Sequence, residues 1–129
     1  MNRPDIHLKR AYEPASGDDG MRLLVDRVWP RGVSRQKIAV QGWLKEIAPS
    51  TALRTWFGHD PARWDEFRRR YAHELDANPD AVDELRRWLR QGRVTLVYGA
   101  RDTEHNQAVA LREYVLRAPS VSRGEIAGL

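Results

Sequence analysis

Residues 94–106 read VTLVYGARDTEHN, and this stretch decides the fold class. Its first five residues are apolar or β-favouring, which suits a buried strand from Val94 to Tyr98. Gly99-Ala100-Arg101 leads away from it, and Asp102 or Thr103 is the expected cap of a following helix. Ala108, Leu111 and Val115 recur at spacings of three and four and give that helix an inward face. Upstream, Asn78-Pro79 signals a helix start, Val82, Leu85 and Leu89 form its buried face, and Gly92 ends it. A good strand with a helix on either side indicates an α/β fold. The expectation is a single compact domain with a small, mostly parallel sheet flanked by helices.

Nearer the N-terminus, Met21 to Val28 reads as a second buried strand centred on Leu23-Leu24-Val25, ended by Pro30 and Gly32. IHLKR, residues 6–10, is a short further strand, and Ile38 to Leu44 is a weaker extended piece containing Trp43. The turn-rich link AYEPASGDDG, residues 11–20, is barely long enough for a crossover, so an antiparallel first strand competes with a parallel one. Ser50 caps a short helix through Phe57, closed by Gly58. Asp60-Pro61 starts the next, on which Trp64, Phe67, Tyr71 and Leu75 form one apolar stripe. The domain is expected to cover residues 1–117, with 118–129 a flexible tail of small and polar residues.

The chain's 129 residues suffice for one sizeable core. No stretch approaches the ~20 apolar residues of a membrane span. The first ten residues lack the apolar segment of a secretory signal, so a cytoplasmic location is expected. The absence of cysteine excludes a disulfide framework and a thiol nucleophile. The net charge of +4 is compatible with anionic partners, whether phosphate-bearing small molecules or nucleic acid. Three of the 22 basic residues are lysine and the other 19 are arginine. Acids interleave with them, as in WDEFRRRYAHELD, which equally describes a solvated surface.

Two segments carry candidate chemistry. LVDRVWPRG, residues 24–32, lies at the C-terminal end of a strand, where ligands bind in open α/β sheets. Arg27 and Arg31 can grip a phosphate or carboxylate through the guanidinium fork, and Trp29 can stack on a base. Asp26 can orient the arginines or act as an acid/base group. The competing reading is a buried Asp–Arg pair that fixes the loop, with Trp29 filling the core. In YGARDTEHN, residues 98–106, Tyr98 and Arg101 are candidate ligand contacts and His105 a candidate proton carrier. Plain capping by Asp102 or Thr103, with His105 on the surface, is the alternative. KRAYEP, with Lys9, Arg10, Tyr12 and Glu13, joins the same pocket only if the first strand runs parallel to the others. His59-Asp60 is similar to a metal-binding pair, but His7, His73 and His105 show no spacing that completes it, so neither metal nor cofactor is expected.

Together, KRAYEPASGDDGMRLLVDRVWPRGVS, WLKEIAPSTALRTWFGHDPARWDEFRRRYAHEL and VTLVYGARDTEHNQAVALREYV resemble the DUF488 family, in its YeaO-like branch, from Ile6 to about Leu116. The resemblance implies a compact α/β domain and names no reaction. Other branches bear cysteines near the YGARDTEHN segment, so thiol chemistry does not carry over. Some relatives bear a MarR-type regulator label, yet this chain offers no clear recognition helix or β-wing. The resulting expectation is a pocket for an anion, a nucleotide or nucleic-acid fragment; if the protein is an enzyme, hydrolysis at a phosphate or glycosidic bond fits the pocket best. The alternative is a binding or regulatory module without catalysis.

Overall fold

The centre of the sheet is β4, Val94–Tyr98, whose five residues are all buried. In the computed structural model, which describes residues 3–117, β4 pairs in parallel with β1 (Ile6–Arg10) and β2 (Met21–Leu24). A two-residue β3, Gly42–Trp43, pairs in parallel with β2, giving the order β1-β4-β2-β3. The tail expected at 118–129 lies outside the described residues. Every pairing is parallel, so the segments after Arg10, Leu24 and Tyr98 leave the same edge of the sheet. That shared edge positions the site described below.

The antiparallel alternative for β1 does not occur, because β4 inserts between β1 and β2 and the ten-residue link crosses over it. The link is kept short by a tight helical turn, Gly17–Asp19. Ser16 Oγ accepts from the Asp18 N–H at its start, while the Asp19 carboxylate accepts from the Ser16 N–H. At Gly20, φ is +66° and a Cβ would lie 2.4 Å from the Arg93 carbonyl oxygen, so only glycine fits without a shift.

Strand alternation divides the core between the two faces. Leu23, Val25, Val94, Leu96 and Tyr98 join the larger cluster, which is built with α2 (Thr51–Phe57), α3 (Trp64–Asp76), α4 (Pro79–Leu89) and α5 (Gln107–Arg117). Leu24 and Val97 face a smaller cluster with Ala11, Val33 and Ile38 of α1 (Arg35–Ile38). Each large apolar side chain so buried contributes about 1.5–3 kcal/mol. The expected stripe is present on α3, where Phe67, Tyr71 and Leu75 are buried, and on α4, where Val82 and Leu85 are. Ser50 caps α2, and Asp60 caps the turn Pro61–Arg63 that leads into α3.

Three local expectations shift. The Met21–Val28 strand stops at Leu24, although the Val25 N–H still donates to the Val97 carbonyl at 3.0 Å. The extended piece Ile38–Leu44 shrinks to Gly42–Trp43. Ser34 caps a helix through Ile38, and the Ile38 carbonyl accepts two bonds from the Arg22 guanidinium at 2.7 and 3.0 Å. Finally, α5 begins at Gln107 rather than at Asp102 or Thr103. Asp102 Oδ1 accepts the N–H groups of Glu104 and His105 and curls residues 102–105 into a loop, leaving Asn106 Oδ1 to accept from Val109 N–H at the helix start.

Candidate functional site

At the C-terminal edge of the sheet, the loops after β1, β2 and β4 meet the α2 segment around a cleft of about 550 Å³. Its lining combines the buried rings of Phe57 and Phe67 with the polar side chains of Asp26, Arg27, Arg31, Arg54 and Gln107. A cleft of this size is within the range of small-molecule sites.

Asp26 ties two of these loops together. Its Oδ2 accepts from the Gly99 N–H at 2.9 Å and its Oδ1 from the Gln107 side-chain amide. The approach is close: a Cβ at position 99 would stand 2.9 Å from Asp26 Oδ2 and 3.3 Å from Pro30 Cβ, so a larger residue forces one of them to shift. Burial pushes the Asp26 carboxyl up to about 6. The Gly99 N–H, the nearby Arg54 charge and the Gln107 amide oppose that rise without cancelling it.

The arginines of the cleft divide into two kinds. Arg27 donates from Nε to the Pro49 carbonyl at 3.2 Å and from Nη2 to the Ala48 carbonyl at 3.1 Å, so its guanidinium anchors the 48–50 segment. That segment is also held by Glu74, which accepts from both the N–H and the hydroxyl of Ser50. Arg31 and Arg54 are exposed, and neither guanidinium forms a hydrogen bond or ion pair with another described residue.

The remaining candidates sit elsewhere. Trp29 does not line the cleft. It packs edge-on against Trp43 at 5.4 Å beside the smaller core cluster and donates from Nε1 to the Val33 carbonyl. Tyr98 is buried at the end of β4, and burial raises its phenol above the ordinary value. Arg101 is exposed and outside the cleft lining. His105 is not part of the cleft lining; its ring lies 5.4 Å from that of Trp64 and its Nδ1 2.9 Å from Asp102 Oδ2. The structure therefore brings Asp26, Arg27 and Arg31 to one cleft and leaves Trp29, Tyr98, Arg101 and His105 out of its lining. Of KRAYEP, Tyr12 reaches the cleft, Lys9 pairs with Asp19, and Glu13 accepts from the Arg10 N–H.

Arg54, His59 and Gln107 were not among the expected ligand contacts, yet all three line the cleft. Arg54 lies on the exposed face of a short helix and carries no motif. His59 did stand out in the sequence, as half of a His-Asp pair. It has φ +58° directly after the helix-ending Gly58, while its neighbour Asp60 is occupied as a cap on the Ala62 N–H. No group of three or more metal-ligating side chains occurs among the described residues.

A family model described as the inactive DUF488-N3 subclade matches residues 5–125. The chain belongs to the DUF488 family. Its DUF488 relatives include an uncharacterized protein of Mycobacterium tuberculosis, 40% identical over 108 residues, which is 84% of this chain and 91% of that one. The uncharacterized protein YeaO of Escherichia coli is 38% identical over 111 residues, covering 86% of this chain and 96% of YeaO. No solved structure gives a significant match. No helix among the described residues is long and apolar enough to cross a membrane.

Proposed function

We propose that this DUF488 chain is a binding module without catalysis, holding a phosphate-bearing ligand in the cleft at the sheet edge. The observation that carries this reading is the division of labour in the cleft. Both Asp26 oxygens are engaged by the Gly99 N–H and the Gln107 amide, whereas Arg31 and Arg54 form no hydrogen bond or ion pair with another described residue, Arg54 acting on Asp26 through its charge alone. Guanidinium groups with free hydrogen-bond donors, in a cleft also lined by Phe57 and Phe67, suit an anion, because charge-assisted bonds gain strength where water is displaced.

A hydrolase needs a proton carrier free to reach the ligand. Asp26 has a suitable carboxyl, at about 6, but its oxygens are committed to holding loops. His105 is engaged by Asp102 and packs against Trp64. The description of the subclade as inactive accords with the binding reading. All sheet pairings are parallel, which argues against the β-wing of a MarR-type regulator.

Titration calorimetry with inorganic phosphate tests the proposal. Arg54→Gln is expected to weaken binding by about 10-fold or more, the effect of removing one charged hydrogen-bond donor. Arg101→Gln, outside the cleft, is expected to leave it unchanged. Equal affinities for wild type and Arg54→Gln would rule this site out.

A further inference from the structure

We infer that the ligand of this cleft is an aromatic phosphomonoester of mononucleotide size, with its phosphate at Arg31 and Arg54 and its flat apolar body at Tyr12 and Val28. This rests on the reading of the cleft as an anion site and deepens it. Among the described residues the large hydrophobic side chains left exposed are Tyr12 and Val28, at 47% and 62%, and both line this one cleft. They come from different loops, after β1 and after β2, which only the parallel sheet brings to the same edge. Exposed apolar groups gathered at a concave site mark a binding surface rather than chance exposure.

The Tyr12 ring is held in place. The Arg10 guanidinium lies 4.9 Å from its centroid while donating from Nε to the Ala100 carbonyl at 2.9 Å, so strand β1, the β4 loop and the ring form one unit. A ring fixed in this way loses little freedom when a second flat group stacks on it. The charged and apolar contacts occupy one cleft of about 550 Å³, which accommodates one nucleotide and not a duplex. A simple inorganic anion would use the arginines and leave Tyr12 and Val28 idle.

Calorimetry with adenosine 5′-monophosphate, ribose 5-phosphate and inorganic phosphate separates the two halves. The nucleotide is expected to bind about 5- to 100-fold more tightly than ribose 5-phosphate, the range of one base stacked on an aromatic ring. Tyr12→Ala is expected to erase most of that preference while leaving phosphate affinity within about 2-fold, and Val28→Ser to reduce it in the same direction. Both side chains are exposed, and circular dichroism of each variant verifies the fold. Equal affinity for nucleotide and ribose 5-phosphate in the wild type would overturn the inference while leaving the anion site standing. Failure of all three probes to bind would overturn the anion site itself, and this inference with it. Loss of nucleotide and phosphate affinity in equal measure on Tyr12→Ala would also overturn it.

Discussion

Two aspartates flank the second strand, and they stand in opposite electrostatic states. Asp19, just before β2, is buried and surrounded by cations and donors. Arg22 Nη1 lies at 2.7 Å, Lys9 Nζ at 3.1 Å and the Ser16 N–H at 2.9 Å. Burial raises its carboxyl, but the Ser16 N–H, Lys9 and Arg22 outweigh that and hold it below the ordinary value. Asp26, just after β2, has two hydrogen-bond partners of no net charge, and burial prevails, lifting it to about 6. The same residue type is thus a clamp charged at neutral pH at one end of the strand and a fastening that titrates nearer neutrality at the other. What differs is the presence of a contacting cation. At the cleft end Arg54 acts on Asp26 through its charge alone, with no hydrogen bond or ion pair to it.

The largest effect is expected from Asp19→Ala. It would strand the Arg22 guanidinium, 3% exposed, without its counter-ion, and a buried pair broken on one side costs about 3–5 kcal/mol. Urea denaturation at pH 7 measures this, and a loss below 1 kcal/mol would mean that the Ile38 carbonyl alone satisfies Arg22. Gly99→Ala comes next. Its Cβ would press on Asp26 Oδ2 and on the stiff Pro30 ring, and overpacking of this kind costs about 1–3 kcal/mol. Weakened phosphate binding is expected alongside, since the loops that shape the cleft must part. A variant as stable as wild type with intact binding would show that the Gly99–Asp26 link does not shape the cleft.

The smallest effect, and the most diagnostic, concerns pH. The Asp26 carboxyl at about 6 in the folded chain lies above its ordinary 3.8, so protonation favours the fold. The cost of burying its charge is absent below pH 3.8 and complete above about pH 6, amounting to roughly 3 kcal/mol at most. Asp19 has the opposite sign: its contribution is present above pH 3.8 and is lost as pH falls through its lowered folded value. Asp26→Asn is therefore expected to gain about 1–2 kcal/mol at pH 8 and nothing at pH 4. The Gln107 amide needs only to turn its oxygen toward the new side-chain amide. Parallel stability–pH curves for wild type and variant between pH 4 and 8 would contradict the assignment.

Much of the scaffold was legible along the chain. VTLVY and the core of MRLL announced buried strands because their apolar residues are continuous, and the α3 stripe announced itself by spacing. The start of α5 is not legible, because Asp102 is as good a loop-former as a helix cap and Asn106 takes the capping role. Trp29 was legible as a large aromatic beside arginines, yet its indole N–H found the Val33 carbonyl and its ring found Trp43. Arg27 was legible as a guanidinium fork, and it anchors neighbouring carbonyls. Arg54 was illegible, because a lone arginine on an exposed helical face looks the same whether or not a cleft opens beside it.

The α/β class, the strands β1, β2 and β4, several helix starts and the family can be read along the chain. These follow from local periodicity, capping and turn chemistry, which act over a few residues. The order β1-β4-β2-β3, and with it the set of loops that share an edge, emerges in three dimensions alone. That choice rests on pairing between residues some 70 to 90 positions apart, such as Met21 with Val94 and Ile6 with Val94, which no local pattern encodes. The same long-range pairing brings Tyr12, Asp26 and Gly99 to one cleft, and burial there sets the charge state of Asp26.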